Sequence, residues 1–187
     1  MSTQPQPFLS QEQYLEIERK ADRKSEYFAG QMFAMAGSSR EHVRISVNCL
    51  IALSSRSKGS EIYSSDMRVL TGVSGLYTYP DVSVACDSPK FEDAHLDTLL
   101  NPVLIIEVLS PSTEAYDRGK KFELYRGIVS LRHYLLIAQD RYHVDHFLRQ
   151  PDDTWLLHSL SGLDDVVHLD DFTLPLGEVY AGLTPPS

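Results

Sequence analysis

The order of apolar and polar positions divides this chain into short helices and strands. Apolar residues three or four positions apart indicate helices, and apolar runs of four to eight residues indicate strands. The pattern predicts helices at about 10–21, 38–57 and 116–126. It predicts a hairpin of two strands at 26–35 and further strands at 61–70, 77–86, 102–110, 131–138, 142–148 and 155–160. The remainder, from 161 to 187, is predicted to be irregular.

Polar residues mark where the first two helices begin and where the hairpin turns. Ser10 with Gln13, and Ser38 with Glu41, have the spacing of a capping box, in which each side chain bonds the other residue's main-chain N–H. Gly30 between the two hairpin strands supplies the turn. The first two helices are therefore expected to start at these serines.

The predicted order of elements indicates an α/β fold with a mixed sheet. A helix precedes three strands, and a second helix leads to one more strand, so a meander is followed by a helical crossover. The third strand is apolar on both faces except at Glu107, as expected of a strand in the middle of a sheet. The chain has 187 residues with no repeat and no low-complexity linker, so residues 1–187 are predicted to form one domain.

Composition excludes several classes of protein. With 42% hydrophobic and 23% charged residues, the chain is neither disordered nor collagen-like. Cys49 and Cys86 stand among apolar neighbours, which indicates reduced thiols in a cytoplasmic protein, with a Cys49–Cys86 bridge as the alternative. No signal peptide or membrane-spanning stretch is evident, and we expect no membrane association.

Acidic residues dominate the last third of the chain. The formal charge of −9 comes from 17 basic and 26 acidic residues, and nine of those acids lie from residue 140 onward with only two bases. The first 139 residues are therefore close to balance. They contain two basic clusters that are candidates for phosphate binding, at 19–24 and 118–121.

Two carboxylates interrupt the predicted apolar strands. Asp81 follows Tyr79-Pro80, and Glu107 stands between aliphatic pairs. On neighbouring strands these carboxylates would lie about 5 Å apart and repel by about 3 kcal/mol at an effective dielectric constant of 20. Protonation of one, pairing with a lysine or arginine, or a shared divalent cation would offset this repulsion. Oxygen ligands favour Mg²⁺ or Mn²⁺ as that cation.

The helix after the Glu107 strand carries a second group of polar residues. Asp117, Lys121 and Tyr125 are four residues apart, so they share one helix face. A crossover returns this face over the carboxyl end of the strand, where ligand sites of open sheets collect. The alternative is an exposed Asp117–Lys121 pair of little energetic value.

Seven short pieces of the sequence, in this order and spacing, match one family. They are Ser25-Glu26-Tyr27 with Gly30, Met35-Ala36-Gly37-Ser38, His42 with Asn48, Ser65-Asp66-Met67, Tyr79-Pro80-Asp81, the run from Ile106 to Thr113, and Asp117-Arg118 with Lys121 and Tyr125. From about Phe8 to Tyr180 the chain resembles the Uma family of restriction-endonuclease-like proteins, a branch of the PD-(D/E)xK nuclease superfamily. The resemblance implies a restriction-endonuclease-like αβββαβ core, with an N-terminal helix and hairpin and C-terminal antiparallel strands.

The resemblance also implies a catalytic centre. Asp81 and Glu107 would bind Mg²⁺ or Mn²⁺, with the main-chain carbonyl of Val108 as a further ligand. The superfamily's usual lysine, two residues after the glutamate, is replaced by Leu109. The resemblance implies that Lys121 of the following helix takes over this role.

Further side chains are candidates for supporting positions beside these three, and Asp117 is one of them. Glu26 is either another acid of the site or a residue at a strand end. Asp66 either faces the same cleft or pairs with Arg68. Tyr125 either donates to a site carboxylate or packs as an ordinary core tyrosine, and His42 is expected to bond within the fold rather than to a metal.

Three functions follow from these residues. The first is a metal-dependent endonuclease that hydrolyses phosphodiester bonds in DNA, for which a homodimer would suit double-strand cutting. The second is a catalytically silent domain of the same fold that binds nucleic acid or protein. The third is an acidic scaffold whose strand carboxylates pair with nearby basic residues.

Overall fold

The computed structural model describes residues 8–56, 59–72, 75–86, 88–170 and 172–184. Within these ranges the helices are α1 (Gln11–Glu18), α2 (Arg40–Ser54), α3 (Glu114–Tyr116), α4 (Phe122–Tyr125) and α5 (Leu176–Val179), with a π-helical turn (Asp117–Lys121) between α3 and α4. The strands are β1 (Ser25–Phe28), β2 (Gln31–Ala34), β3 (Ser60–Ser64), β4 (Arg68–Leu70), β5 (Tyr77–Thr78), β6 (Val82–Cys86), β7 (Thr98–Leu99), β8 (Leu104–Leu109), β9 (His133–Ala138), β10 (Val144–Arg149), β11 (Trp155–Leu160), β12 (Val166–Leu169) and β13 (Phe172–Pro175).

A six-stranded mixed sheet forms the centre of the molecule. Its strand order is β11-β10-β9-β8-β6-β3, and β8 and β9 run parallel while their other neighbours are antiparallel. Parallel neighbours need a long connection, which α3, the π turn and α4 provide. The succession α2, β3, β6, β8, crossover and β9 is the expected αβββαβ core, so the predicted fold class is confirmed.

The two faces of this sheet are covered differently. On one face, Cys49 and Leu53 of α2 pack with Val84 and Ile106. The other face packs against α4 and a five-stranded sheet of order β2-β1-β5-β4-β7. Two layers of apolar side chains therefore enclose β8, the strand that carries Glu107.

Two predicted strands are each divided between the two sheets, which is a correction. The run at 61–70 breaks into β3 and β4 at a turn in which Met67 N–H donates to the carbonyl of Ser64 at 3.0 Å. The run at 77–86 breaks into β5 and β6 around Pro80, which has no N–H to give a sheet. The sequence pattern did not separate the halves because each contains β-branched or aromatic residues that suit a strand.

The prediction of an irregular C-terminal stretch is wrong. Residues 166–175 form the hairpin β12–β13, and α5 follows it directly. Val167, Leu169 and Leu174 are buried against the α2 face of the central sheet. These strands have four residues each, so their apolar alternation is too short to identify without the tertiary contacts.

Helix boundaries are shorter than predicted. The Ser10–Gln13 capping box of α1 is present, but α2 is capped by Ser39, whose hydroxyl accepts from the N–H of His42 at 3.0 Å. The predicted cap at Ser38 is therefore one residue early. Helix α2 ends at Ser54, and the predicted limit at 57 lies outside the described residues.

Two other expectations bear on the whole chain. Cys49 and Cys86 are both free thiols, so the alternative bridge does not form. Among the residues that the structure describes, no helix is both long and apolar enough to cross a bilayer. That residues 1–187 form one domain stays a prediction.

Candidate active site

Asp81 and Glu107 are brought together by the register of two neighbouring strands. Val82 of β6 stands opposite Ile106 of β8 in an antiparallel pair, and continuing this register by one residue sets Asp81 opposite Glu107. Directly opposite residues of such a pair point to the same face with their Cβ atoms about 5 Å apart. The main-chain N–H of Val108 donates to Asp81 Oδ2 at 2.8 Å and fixes this carboxylate at the end of the ladder.

Glu107 is a buried carboxylate with two donors on one oxygen. Its exposed fraction is 5%. Tyr125 Oη donates to Glu107 Oε1 at 2.7 Å, and Lys121 Nζ lies 2.9 Å from the same oxygen. Burial raises the pKa of Glu107 to about 8, and the neighbouring Asp117 and Asp81 add to this rise while Lys121 opposes it. The nearby ammonium therefore does not fully compensate the carboxylate.

Lys121 is shared among three carboxylates. Besides Glu107, its Nζ lies 3.3 Å from Glu26 Oε1 and 3.5 Å from Asp117 Oδ1. Burial acts to lower the pKa of Lys121, but these carboxylates hold it well above its ordinary value. Lys121 is thus a protonated donor held in place from three sides.

The π-helical turn places Asp117 and Lys121 on the inside of the crossover. The sequence predicted a regular helix here, whereas the chain makes one wide turn between α3 and α4. Tyr134 Oη donates to the carbonyl of Asp117 at 3.0 Å, and burial raises the pKa of the Asp117 carboxyl. Single π turns of this kind are frequent at functional sites.

Glu26 reaches the same place from the second sheet. It lies on β1, and the hydroxyl of Thr78 on β5 donates to its Oε1. Of the two alternatives for Glu26, the structure therefore supports the one in which it is a further acid beside Lys121. We call Glu26, Asp81, Glu107 and Asp117, with Lys121 among them, the carboxylate cluster.

His42 approaches the carboxylate cluster from the opposite side of the central sheet. It lies in the first turn of α2, and its Nε2 is 2.7 Å from Asp81 Oδ1. This is the bond within the fold that the sequence favoured over metal ligation. Val108 and His42 together hold both oxygens of Asp81.

Asp66 lies outside the carboxylate cluster, so both alternatives for this residue are wrong. Its carboxylate is exposed and pairs with Lys24 at 2.8 Å. Arg68, the other expected partner, instead lies 2.9 Å from Asp97. The reason is the break in the predicted strand, which leaves Asp66 in a turn that faces solvent.

Thr78 and Tyr134 belong to the site, but sequence reasoning missed them. Each is a hydroxyl within a short apolar strand, which is a weak signal because such residues also pack as ordinary core. Their partners, Glu26 and Asp117, come from other elements of the fold, so no local pattern links donor to acceptor.

The predicted basic clusters are largely engaged by acids. Arg19 lies 2.8 Å from Asp97, and Arg118 lies 2.6 Å from Asp145. Lys120 pairs with a neighbouring glutamate, and Lys121 is buried in the carboxylate cluster. Phosphate binding by these four side chains would have to displace existing ion pairs.

The residues of the carboxylate cluster suit a hard divalent cation. Its four carboxylates and one ammonium carry a formal charge of −3, and the strand register sets Asp81 opposite Glu107. The carbonyl and N–H of a strand residue point to the same side, so the Val108 carbonyl is directed toward Asp81. In the described part of the chain, no three His, Cys, Asp or Glu side chains are arranged to hold a metal, so this donor set depends on the main chain.

A cavity of about 390 Å³ lies at the carboxyl ends of β8 and β9. Leu109 and Ser110 line it from one strand, Gln139 from the other, and Ser39 from the start of α2. This is the edge of a mixed sheet at which ligands commonly bind. The members of the carboxylate cluster are not among the residues that line this cavity.

Comparison with known proteins places the chain in a wider group. Residues 11–177 match the family model Uma2, described as "Putative restriction endonuclease". The uncharacterized Synechocystis sp. protein sll1609 is 41% identical over 156 residues, which cover 82% of this chain and 88% of that protein. A second uncharacterized Synechocystis sp. protein, slr1290, is 40% identical over 162 residues, covering 86% and 84%.

One solved structure supports the fold. The crystal structure of a "putative nuclease belonging to DUF820" from Anabaena variabilis superposes with a TM-score of 0.74 at 18% sequence identity. The match covers 91% of this chain and 96% of that one. At such low identity the likeness concerns the fold alone.

Proposed function

Since this chain belongs to the Uma2 family, we propose that it is a metal-dependent nuclease that hydrolyses phosphodiester bonds in DNA. One observation carries the proposal. Asp81 and Glu107 stand opposite each other on adjacent strands, and the Lys121 ammonium contacts Glu107 at 2.9 Å. Two carboxylates and a lysine with this arrangement are suited to bind a cation and an anionic substrate together.

Asp81, Glu107 and the Val108 carbonyl would hold the metal, for which Mg²⁺ or Mn²⁺ fits the oxygen donors. When bound, a divalent ion supplies a water of lowered pKa and neutralises charge on the phosphate. Neighbouring residues preorganise these ligands. The Val108 N–H and His42 fix Asp81, and Tyr125 fixes Glu107 through a 2.7 Å hydrogen bond.

Lys121 would stabilise the negative charge that builds up on the phosphate in the transition state. Glu26 and Asp117 keep this lysine protonated and hold it at the edge of the carboxylate cluster. With Glu107 engaged in holding the metal, the Lys121 ammonium would be left to pair with a phosphate oxygen. In this proposal Lys121 takes the chemical role of the lysine that the superfamily usually carries at the position of Leu109.

A second function is favoured by one observation. In the structure described, Lys121 is engaged by three carboxylates, and Leu109 is buried where the superfamily carries its lysine. A domain that binds nucleic acid or protein without cleaving it would tolerate this arrangement. The two functions differ in whether DNA is cut, not in whether metal is bound.

Cleavage of supercoiled plasmid in about 5 mM Mg²⁺ or Mn²⁺, a concentration that saturates even weak sites, tests the proposal. Wild-type protein is expected to nick or linearise the plasmid, and Asp81→Asn, Glu107→Gln and Lys121→Met to lose about 10²–10³-fold or more in rate. Asp66→Asn is the matched control, because it removes a carboxylate that lies outside the cluster.

The outcomes separate the two functions. Equal cleavage by wild type and Glu107→Gln would point to a contaminating nuclease and remove the support for the nuclease proposal. Calorimetric Mn²⁺ binding that Asp81→Asn abolishes, together with salt-sensitive DNA binding and no cleavage, would favour the silent domain. If wild type cuts, measurement of its oligomeric state tests whether a homodimer makes the double-strand cut.

A further inference from the structure

A row of three histidines crosses the edge of the central sheet away from the carboxylate cluster. His146 of β10 stands directly opposite His158 of β11. In the β9–β10 pair, His133 stands opposite Leu148 and His146 stands opposite Leu135, so the two histidines are diagonal neighbours. All three side chains point to the face that α2 and the β12–β13 hairpin cover, whereas Glu107 points to the other face.

Two of these imidazoles are buried and face each other. His133 and His146 are 3% and 4% exposed, and His133 Nδ1 lies 3.0 Å from His146 Nε2. The far nitrogen of His133, Nε2, is buried without an aligned hydrogen bond, although Asp170 Oδ2 lies 3.2 Å away. His158 is exposed, and its ring centroid lies 6.1 Å from that of His146.

We propose that His133, His146 and His158 form a second metal site, which takes a borderline-soft dication such as Zn²⁺. This inference is independent of the nuclease proposal. Imidazole nitrogen is a preferred ligand of Zn²⁺, whereas the carboxylate cluster offers only oxygen. The two sites would therefore select different ions.

The spacing of the buried pair suits such an ion. Tetrahedral zinc with Zn–N bonds of about 2.0–2.1 Å holds two ligand nitrogens about 3.3–3.4 Å apart. The 3.0 Å between His133 Nδ1 and His146 Nε2 approaches this value, so a small separation of the rings admits the ion. The proton that now lies between the two nitrogens would move to the far nitrogen of the ring that carries it, so that both facing nitrogens offer lone pairs to the ion.

The third ligand requires a side-chain rotation. As they stand, no three such side chains among the described residues are arranged around a common point. His158 is exposed on the edge strand β11, so a change of rotamer can bring its ring over His146 without disturbing the core. A water can complete the four ligands of zinc.

Asp170 supplies the outer support that metal-bound histidines commonly have. A carboxylate on the far nitrogen fixes the ring and makes the other nitrogen a better ligand. Asp170 also pairs with Arg132 at 2.7 Å, which holds the carboxylate beside His133. Burial lowers the pKa of both His133 and His146, so at neutral pH their nitrogens carry lone pairs for a metal.

The site would connect two parts of the fold. Asp170 lies at the turn of the β12–β13 hairpin, while the histidines lie on β9, β10 and β11. An ion held by the histidines would strengthen the contact between this hairpin and the sheet. We therefore expect Zn²⁺ to raise the melting temperature of the metal-free protein.

Calorimetric titration of the full chain with Zn²⁺, and with Co²⁺ as a spectroscopic probe, tests the site. Wild type is expected to bind one Zn²⁺ at this site and to give the visible absorption of tetrahedral Co²⁺ with nitrogen ligands. His158→Ala should weaken binding by about 10–100-fold, and His146→Asn should abolish it. His95→Ala, at an exposed histidine far along the chain, and Asp81→Asn, in the carboxylate cluster, should leave it unchanged.

The exposed position of His158 keeps the test decisive even if His146→Asn fails to fold. Loss of the Zn²⁺-dependent rise in melting temperature in His158→Ala, with the same melting temperature in EDTA, supports the site. Unchanged Zn²⁺ affinity and Co²⁺ absorption in His158→Ala overturn the three-histidine site. Binding that Asp81→Asn removes instead would assign the ion to the carboxylate cluster and equally overturn the proposal.

Discussion

Two polar clusters in this protein, one buried and one partly buried, use the same kinds of side chain with opposite electrostatic results. One is the carboxylate cluster around Glu107. The other, which we call the arginine cluster, consists of Glu18, Arg19, Arg68, Tyr79 and Asp97 beside the second sheet. Arg68 is 3% exposed and donates to Tyr79 Oη at 2.8 Å, and Tyr79 in turn donates to Glu18 Oε1 at 2.9 Å.

The pKa of a carboxylate shifts in opposite directions in the two clusters. Hydrogen bonds from Arg19 and the charge of Arg68 hold the pKa of Asp97 below its usual range. Burial among other carboxylates raises the pKa of Glu107 to about 8. The arginine cluster places two guanidinium groups against its acids, whereas the carboxylate cluster has one ammonium for four acids.

This difference separates a structural cluster from a candidate functional one. Paired and hydrogen-bonded charges stabilise a fold, whereas buried negative charge that stays uncompensated costs stability and persists where an ion can offset it. The arginine cluster pairs its charges within itself, although Glu18 Oε2 is buried without a hydrogen bond. The carboxylate cluster is the one that a cation would complete.

The largest effect is expected from removing the charge at the centre of the arginine cluster. Arg68→Met removes the buried partner of Asp97 and Tyr79, while Arg19 still pairs with Asp97. We therefore expect the free energy of unfolding to fall by about 3 kcal/mol, the lower end for a broken buried ion pair. Urea unfolding at pH 7 measures this loss. Lys24→Met, which breaks the exposed pair with Asp66, is the control and should cost less than about 1 kcal/mol. Similar losses in the two variants would contradict the structural role given to Arg68.

The next effect is a pH dependence that distinguishes the clusters. In metal-free protein Glu107 holds a proton in the folded state up to about pH 8, but its ordinary pKa is 4.5, so the unfolded chain releases that proton earlier. The stability from this group is therefore complete below about pH 4.5 and is lost as the pH rises through 8. We expect Glu107→Gln to remove on the order of 2–3 kcal/mol of this pH-dependent loss.

Unfolding curves in EDTA measure the Glu107 slope between about pH 5 and 8 and the Asp97 contribution below about pH 4. Asp97→Asn is the matched comparison, with the opposite sign. The folded-state pKa of Asp97 is lowered, so its contribution is present above its ordinary value of 3.8 and is lost as the pH falls below it. An identical slope in wild type and Glu107→Gln would show that Glu107 is compensated after all.

The smallest effect comes from removing a single hydroxyl from each cluster. Tyr79→Phe deletes the hydroxyl that links Arg68 to Glu18, and we expect a loss of about 1–2 kcal/mol in stability with no change in metal binding.

Tyr125→Phe deletes a donor to Glu107, so the pKa of Glu107 should rise further. The pH range in which the protein loses stability should therefore shift to higher pH. Thermal unfolding across pH and Mn²⁺ titration compare the two variants. A change in Mn²⁺ affinity in Tyr79→Phe alone would reverse the roles assigned to the clusters.

Much of the candidate site could be predicted because its main residues break local patterns. Glu107 interrupts an apolar strand, and Asp117, Lys121 and Tyr125 repeat at helical spacing, so each stands out from its own segment. The structure brings all four together even though the helix contains a π turn. The prediction for Asp66 was wrong because it depended on a continuous strand, which the sequence could not establish.

The sequence by itself determined the αβββαβ core and the two carboxylates that meet on adjacent strands. Those features follow from hydrophobic periodicity and from charges in apolar runs, which are properties of neighbouring residues. The tertiary structure decided which strands belong to which sheet, and so it added Glu26 and Thr78 to the site, removed Asp66 and aligned His133 with His146. Such choices depend on which buried surfaces fit together across the whole chain, and residues far apart in sequence leave no local pattern that records them.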